Sequence, residues 1–333
     1  MKKIILLLAL GFLTSCQNKD EAAEKKAVLP ESNAKLNNVS IIIENDLWKS
    51  EIGDSLRSKL SAPTEGLPQD EAMFDINQYP PKVFKGFATK SRNVLVIEYK
   101  KPKNFTFIKD EFAIPQAVMH ISGQNITELI EVLEEHQKEI IKNIQQSEIK
   151  ENQRRMIKSL LNDQKIKDKF GISLKMSSSF KYDMDRENFI WLRKQFKMGM
   201  SAYSPSGENS IIIYEVPYET IEGANVLENI LQMRSTIGKA NIEGALPNTF
   251  MDTDRTYRPY FYETTLANKK TYITKGIWEL KNDFMSGPFI NYAIKDEKNN
   301  RYLVVEGFSY FPSQSKRELV LEIESIIQSI KFL

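Results

Sequence analysis

The sequence predicts an α+β fold: mostly antiparallel sheets with helices packed on one face, in two halves joined by a long helical segment. Three observations indicate this arrangement. Several short segments are rich in apolar residues and bounded by turn residues, as strands are. Other segments repeat apolar residues every three or four positions, as helices do. Residues 122–170 contain one Gly and no Pro among many Glu, Lys, Gln, Ile and Leu. Such a distribution suits an α+β domain.

The first fifteen residues are typical of a secretory signal peptide. Lys2 and Lys3 precede ten apolar residues, 4–13, too few to span a bilayer as a mature helix, which needs about 20. The sequence Leu-Thr-Ser-Cys that ends at Cys16 resembles the lipobox of bacterial lipoproteins. That resemblance implies that Cys16 is acylated and becomes the mature N-terminus, held in a bilayer by two or three acyl chains. The alternative is a core cysteine preceded by a chance apolar run.

Residues 16–37 are predicted to be the lipidated cysteine and a flexible tether, because they are polar, charged and poor in aromatic residues. Lys19 and the two acidic residues after it resemble the export signal of some outer-membrane lipoproteins in the Bacteroidota; an ordinary solvated charge run is the alternative. We therefore expect an outer-membrane lipoprotein, on the periplasmic face or the cell surface. Without residues 1–15, the Lys+Arg count falls from 46 to 44 and equals the 44 Asp+Glu, which argues against a nucleic-acid partner.

Residues 38–121 are predicted to form the first α+β half. Strands are expected at 39–43 and 92–99, with a weaker one at 117–121. A helical stripe follows the first strand, with apolar residues four positions apart: Trp48, Ile52, Leu56 and Leu60. Residues 61–91 are predicted to be a long irregular connection. Within it, LPQDEAMF is either a functional loop or a segment that Met and Phe side chains fix to the core.

Residues 122–170 are predicted to form a helical hairpin. An apolar stripe is interrupted by the polar run QQSEIKENQRR, 145–155, and resumes at Met156. One long kinked helix is the alternative. The stripe covers only about three heptads, which favours packing on a sheet over a coiled-coil partner.

Residues 171–333 are predicted to form a second half dominated by strands. Two helices are expected, at 220–236 and 316–330. The predicted strands are 172–176, 189–192, 210–216, 260–265, 271–280, 289–295 and 301–311. The last three strands are joined by tight polar turns, which is typical of an antiparallel meander. The segments 92–99 and 209–218 are faintly alike, so a duplicated unit remains open.

The residue inventory argues against several kinds of active site. The chain has two histidines, His120 and His136, and they do not form an HExxH pair, so a zinc hydrolase is not expected. No GxSxG, GxxxxGK[ST] or strand-linked GxGxxG motif is present. We therefore expect neither a metal nor a cofactor, and the sequence favours non-covalent binding over catalysis without deciding between them.

The densest stretch of aromatic and acidic residues is GIWELKNDFMSGPFINY, 276–292. Its candidate site residues are Trp278, Glu279, Asp283 and Tyr292: two carboxylates could cleave a glycosidic bond while the aromatic rings stack on sugars. The competing interpretation is a hairpin turn. In that case Trp278 packs in the core, Asp283 accepts backbone N–H bonds, and the Ser-Gly-Pro segment supplies the turn. The turn is favoured because it explains the density of large residues without a ligand.

Four stretches together resemble a family of Bacteroidota lipoproteins known only as a domain of unknown function, DUF4837. They are the lipobox, LPQDEAMFDI, RNVLVIEY, and the segment from GIWELKNDFMSGPFINY through the final helix. The resemblance covers nearly all of the mature chain; the family is expected to have Gly where Ser286 stands. It implies an envelope location and carries no activity, substrate or catalytic residue.

Three functions remain open at this stage. The first is a lipid-anchored envelope protein that binds or scaffolds other envelope components, such as a protein or a glycan. The second is a glycan-active hydrolase that uses Glu279 or Asp283. The third is a small-ligand capture protein with a pocket between its halves. A flat surface favours the first, an open aromatic groove with both carboxylates the second, and a cavity between the halves the third.

Overall fold

The structure is a computed structural model that describes residues 29–201 and 203–333. The predicted signal peptide, 1–15, and the predicted lipidation site, Cys16, lie outside the described residues, as do residues 17–28 of the predicted tether. Within the described part of the chain, no helix combines the length and the apolar composition needed to cross a bilayer.

The last nine residues of the predicted tether are docked on the first half. The N–H group of Ser32 donates to the Ile114 carbonyl at 2.9 Å, and that of Asn33 donates to the Lys90 carbonyl at 2.8 Å. Asn37 is 5% exposed and has a left-handed backbone, with φ 56°. The prediction of a tether over 16–37 is therefore wrong for residues 29–37, because their backbone groups find partners in the folded domain.

The first half is a five-stranded sheet with helices on one face, and its strand order is β2-β1-β3-β5-β4. Three of its four pairings are parallel. Its elements are β1 Asn38–Ile42, α1 Asn45–Trp48, α2 Glu51–Leu60, β2 Asp75–Tyr79, β3 Asn93–Tyr99, β4 Asn104–Lys109, β5 Ala117–Gly123 and α3 Ile126–Met156. The apolar stripe predicted from Trp48 to Leu60 faces this sheet: Ile52 and Leu56 are fully buried.

Helix α3 runs unbroken for 31 residues, and α4, Gln164–Phe170, follows as a short separate helix. The helical hairpin predicted for 122–170 is therefore wrong, because the polar run 145–155 is not a loop. Its polar groups have partners across the interior. Gln146 Nε2 donates to Gln328 Oε1 at 3.3 Å, and Gln153 Nε2 donates to the Ser325 carbonyl at 2.9 Å. The polar run joins α3 to the second half.

The second half is built on an eight-stranded sheet in which all pairings are antiparallel. Its path is β10-β12-β13-β14-β9-β8-β7, with β11 paired to β12. After α4 its elements are β6 Ile172–Ser173, β7 Lys181–Arg186, β8 Phe189–Lys197, β9 Ser206–Val216, α5 Val226–Asn241, β10 Phe250–Thr253, β11 Tyr260–Leu266, β12 Lys269–Lys281, β13 Ser286–Asp296, β14 Arg301–Tyr310, α6 Arg317–Ile327 and β15 Lys331–Phe332. The predicted α+β class and the meander of β12, β13 and β14 are confirmed.

Both faces of the larger sheet are covered. Helix α6 packs Ile323 and Ile327 on one face, and α5 packs Ile230 and Met233 on the other. The prediction placed helices on one face only, but the larger sheet has helices on both faces. Nearly every residue of its central strands β13 and β14 is therefore buried. The two halves also differ in topology, parallel against antiparallel, so a duplicated unit does not describe them.

Candidate ligand-binding cleft

Trp278 lies in the core of the second half. Its side chain is 3% exposed, and its Nε1 donates to the Ser309 carbonyl at 3.1 Å. The ring stands edge-on to Phe308, with centroids 5.7 Å apart. A small apolar slot of about 200 Å³ opens beside it. A ring with both a polar partner and an aromatic neighbour is satisfied without a ligand.

Tyr292 lies on the opposite face of the sheet from Trp278, in a different core cluster. It is 1% exposed, and its hydroxyl donates to Glu324 Oε1 at 2.9 Å. Burial, together with the Glu324 carboxylate, raises the pKa of the Tyr292 phenol well above its ordinary value. The two aromatic candidates are therefore not brought together, and the slot that Trp278 lines contains neither Tyr292 nor the candidate carboxylates Glu279 and Asp283.

The two candidate carboxylates belong to the hairpin between β12 and β13. Glu279 stands within the strand, paired with Ser286, and forms an ion pair with Lys281; hydrogen bonding to Glu279 raises the Lys281 pKa. Asp283 Oδ1 accepts from the N–H group of Phe284 at 2.7 Å, and Asn282 before it has φ 62°. These are the contacts of a tight turn.

A cleft between the halves is the best candidate for a binding site. It has a volume of about 440 Å³, within the range of about 300–1,000 Å³ that holds small ligands. One wall is α3 and the other is α6, whose residues from Arg317 to Gln328 face it. Asn37, both ends of the 61–74 connection, and strands β11 and β12 close the remaining sides.

The floor of the cleft is apolar. Phe74 is 1% exposed and Met73 packs against the core of the first half, which confirms that these residues fix their loop to the core. Ile141, Val320 and Leu321 complete the apolar lining. Glu71 holds the same loop against α6, since its carboxylate accepts the N–H groups of Lys316 and Arg317 at 2.7 and 2.9 Å. Negative charge at a helix N-terminus is stabilising.

The walls of the cleft carry an excess of positive charge. Lys138, Lys142, Lys275 and Arg317 line it, against the carboxylates Glu65 and Glu324. Arg317 is paired with Asp75 at 2.9 Å, and Lys275 lies 3.8 Å from Glu324. Lys138 and Lys142 have no ion-pair partner among residues 29–201 and 203–333. They stand four residues apart on α3, a spacing at which like charges weaken a helix slightly.

Both carboxylates of the cleft are engaged by tyrosine hydroxyls. Tyr262 donates to Glu65 Oε1 at 2.7 Å, and Tyr292 donates to Glu324 as described above. Burial and the Glu65 carboxylate raise the pKa of Tyr262. A hydrogen bond from a neutral hydroxyl leaves the charge of each carboxylate in place, but four cations still line the cleft against two carboxylates. An anion is therefore the ligand that the electrostatics of the cleft favour.

Two buried polar atoms of the cleft lack a hydrogen-bond partner within the described residues. They are Nδ2 of Asn37 and Oγ1 of Thr64. Buried polar atoms are almost always satisfied in folded proteins, so a water or a ligand group is expected beside each. Asn37 is held in place by its own backbone, whose N–H group donates to Glu148 Oε2 at 2.9 Å.

Sequence reasoning did not identify this cleft. Its lining comes from six separate segments, and only the loop that ends at Met73 and Phe74 was considered as a site. The one local signal was the pair Lys138 and Lys142, which the sequence shows as two lysines on one helical face. Within the part of the chain that the structure describes, no group of three or more His, Cys, Asp or Glu is arranged to hold a metal ion.

The histidines lie away from the cleft lining. His120 Nε2 is 2.8 Å from Glu111 Oε2 and its Nδ1 is 3.6 Å from Glu98 Oε2, on the outer side of β5. His136 stacks on Phe105 with centroids 4.2 Å apart. Both are partly exposed and have local partners.

Comparison with known proteins gives two family matches. A profile described as Domain of unknown function (DUF8532) matches residues 32–157, which ends at the C-terminus of α3. A profile described as Domain of unknown function (DUF4837) matches residues 159–329. No match was found among curated proteins.

One similar solved structure is that of the Ran-binding protein Mog1p from Saccharomyces cerevisiae. It shares 9% identity with this chain over 49% of this chain and 90% of that one, with a TM-score of 0.29. A likeness this low carries no argument about fold or function. The profile over residues 159–329 covers more than half of the 333 residues. The chain therefore belongs to the family described as Domain of unknown function (DUF4837).

Proposed function

We propose that this protein is a lipid-anchored cell-envelope protein that captures a small amphipathic anion in the cleft between its halves. The proposal combines the first and third functions that the sequence left open: an anchored binding protein, with its binding surface in a pocket. Binding rather than catalysis is proposed because the cleft combines an apolar floor with an excess of positive charge.

The observation that carries the proposal is the pairing of unneutralised cations with an apolar floor. Lys138 and Lys142 line the same cleft as the apolar residues Met73, Phe74 and Leu321. A ligand with an apolar body and a negative head satisfies both surfaces. Its acceptor atoms can also complete the hydrogen bonding of Asn37 Nδ2, which otherwise stays buried without a partner.

The envelope location rests on the sequence. The signal-like residues 1–15, the lipobox-like segment ending at Cys16 and the polar residues after it together support an acylated N-terminus. Two or three acyl chains hold a protein on a bilayer stably, whereas one does so marginally. We place the protein at the outer membrane, where such an anchor would hold the cleft within reach of envelope solutes.

The binding experiment uses 8-anilinonaphthalene-1-sulfonate, a fluorescent anion with an apolar body, as the probe. We expect saturable binding to the full chain and a loss of about tenfold or more in affinity for Lys142→Glu, since a charge-assisted hydrogen bond contributes about 1.5–3 kcal/mol. Lys150→Glu is the matched control, because Lys150 is an exposed lysine on the same helix outside the cleft.

Equal affinities for the two variants would contradict the proposal, because they differ only in whether the new carboxylate faces the cleft. A competition experiment then distinguishes between classes of natural ligand. Fatty acids and acidic oligosaccharides are added separately to the protein–probe complex, and displacement of the probe is measured. Displacement by fatty acids alone would identify an apolar chain as the body of the ligand, and displacement by the oligosaccharides would identify a glycan.

A further inference from the structure

One end of the larger sheet carries an apolar fringe made of three loops. Strands β8, β12 and β14 end there, and β9, β10 and β13 begin there, as their registers show. The loops are β8–β9, β12–β13 and the one before β10. Their fully or largely exposed apolar side chains are Phe284 at 104%, Met200 at 105%, Tyr203 at 97%, Met198 at 58% and Leu246 at 57%.

These loops are almost free of charge. Residues 198–205, 242–249 and 282–285 contain two charged residues, Glu243 and Asp283, in a chain of which 27% is charged. The loops before β10 and β13 are tied together, since Asn282 Nδ2 donates to the Asn248 carbonyl at 3.1 Å. Several large apolar side chains that protrude from one end of a domain, with few charges among them, mark a candidate interaction site.

The form of the fringe favours a fluid occupant over a protein partner. A stable protein interface has a closely packed core of complementary shape. Here Met198, Met200 and Tyr203 stand on the β8–β9 loop, and Phe284 and Leu246 stand on the other two loops. The side chains of Met200, Tyr203 and Phe284 are almost fully exposed, so each can enter a lipid interface. Tyr203 has the amphipathic ring that prefers the headgroup level, and the low charge of the loops suits that depth.

The start of the described chain lies beside the C-terminal end of α3. Glu31 pairs with Arg154 at 3.1 Å, at the C-terminal end of α3. The chain leads from there to Ser159, whose hydroxyl is 2.7 Å from that of Ser178. Phe180, two residues on, lies under Lys194 of β8, close to where that strand enters the fringe. The twelve residues 17–28 span at most about 40 Å when extended, which keeps an anchored domain close to its bilayer.

We infer that the fringe of Met198, Met200, Tyr203, Leu246 and Phe284 is a second membrane contact that lies in the lipid interface and orients the anchored domain. The inference rests on the lipid anchor of the proposed function. Such a contact would determine which end of the larger sheet faces the bilayer.

The test places one fluorescent reporter at a time on the full-length lipidated protein in phosphatidylcholine vesicles. Cys16 is the only cysteine of the chain, so Phe284→Cys introduces one reactive thiol once Cys16 is acylated. Glu187→Cys is the matched control, an exposed position in the β7–β8 turn at the opposite end of the sheet. Each is labelled with an environment-sensitive dye, and spin-labelled lipids serve as quenchers.

We expect a blue shift and quenching for the dye at position 284, and neither for the dye at 187. If the protein floats with vesicles but the dye at 284 behaves like the control, the membrane contact is refuted while the anchor stands. If the protein does not float at all, the anchor and the contact both fail. Binding of the anionic probe in the cleft is measured separately, so each result addresses its own proposal.

Discussion

Among the side chains in the polar run of α3, Glu148 accepts the most hydrogen bonds. Its replacement by Gln tests why that run is helical. The side chain is fully buried. It accepts from Arg92 Nε at 3.0 Å, from Arg92 Nη2 at 2.9 Å, from the N–H group of Asn37 at 2.9 Å and from Asn93 Nδ2. Both carboxylate oxygens are therefore occupied. Glu148→Gln keeps the shape, removes the charge and turns one acceptor into a donor.

The expected loss in the free energy of unfolding is about 3–5 kcal/mol, the usual result of removing one partner from a buried ion pair. Arg92 is 1% exposed, so water cannot replace the lost carboxylate. Its remaining acidic neighbour, Glu151, is 3.9 Å away and is already bonded to Arg154. A loss of this size is a large part of the 5–15 kcal/mol that a folded domain has in total.

The assay is urea unfolding followed by circular dichroism and by the fluorescence of the three tryptophans. Glu139→Gln is the control, because Glu139 lies on the same helix, is 53% exposed and pairs only with His136; it should change stability by less than about 1 kcal/mol. The double variant Arg92→Met with Glu148→Leu should recover part of the loss. A loss for Glu148→Gln as small as that of the control would refute the reasoning.

Three further predictions concern other parts of the chain. Trp278→Ala should lower the free energy of unfolding by about 3–5 kcal/mol without weakening probe binding in the cleft, as urea unfolding and titration would show; weaker binding with normal stability would instead support a site at Trp278. Asp296→Asn tests a depressed pKa: burial alone would raise the pKa of Asp296, but donors from Asn299, Lys269 and Arg301 hold it below its ordinary value. The carboxylate therefore stabilises the fold above about pH 4, the ordinary Asp value, and the stabilisation disappears as pH falls through the folded pKa. Stability curves of wild type and variant should differ at neutral pH and converge in acid; a constant gap would contradict this. Cys16→Ser should leave the described domain folded and release it from the membrane fraction, and continued membrane association by flotation would reveal another anchor.

The strands of the second half could be predicted from sequence because their signals are local. The predicted segments 271–280, 289–295 and 301–311 correspond to β12, β13 and β14. Tight turns rich in Asn, Gly and Asp separate them, and those residues adopt turn conformations at little energetic cost. The main difference is that β13 begins at Ser286 and therefore includes the Gly-Pro pair, which the sequence analysis assigned to the preceding turn.

The first half was harder to predict because its pairings are not local. β1 pairs in parallel with β2 and β3, and no local pattern specifies which distant strands become neighbours. β4, Asn104–Lys109, was missed because it is short and most of its residues are exposed, although Phe105 and Phe107 alternate along it and Phe105 packs against the core. The polar run 145–155 was read as a break because a buried acidic residue and a solvated one look alike in a sequence. Only the position of Arg92 distinguishes them.

The cleft is a tertiary feature for the same reason. Lys142 and Leu321 are far apart in sequence, and no periodicity brings them together. The density of aromatic residues, by contrast, suggested a candidate site at 276–292. In the structure, this segment contains buried core residues and a hairpin turn.

Native mass spectrometry of the protein purified in detergent from the cells that make it tests the central claim most directly. The account predicts one small non-protein mass bound per chain in the wild type and in Lys150→Glu, and its loss in Lys142→Glu. Identical spectra for the two variants, or a wild-type protein with nothing bound beyond the proposed acyl chains, would contradict it.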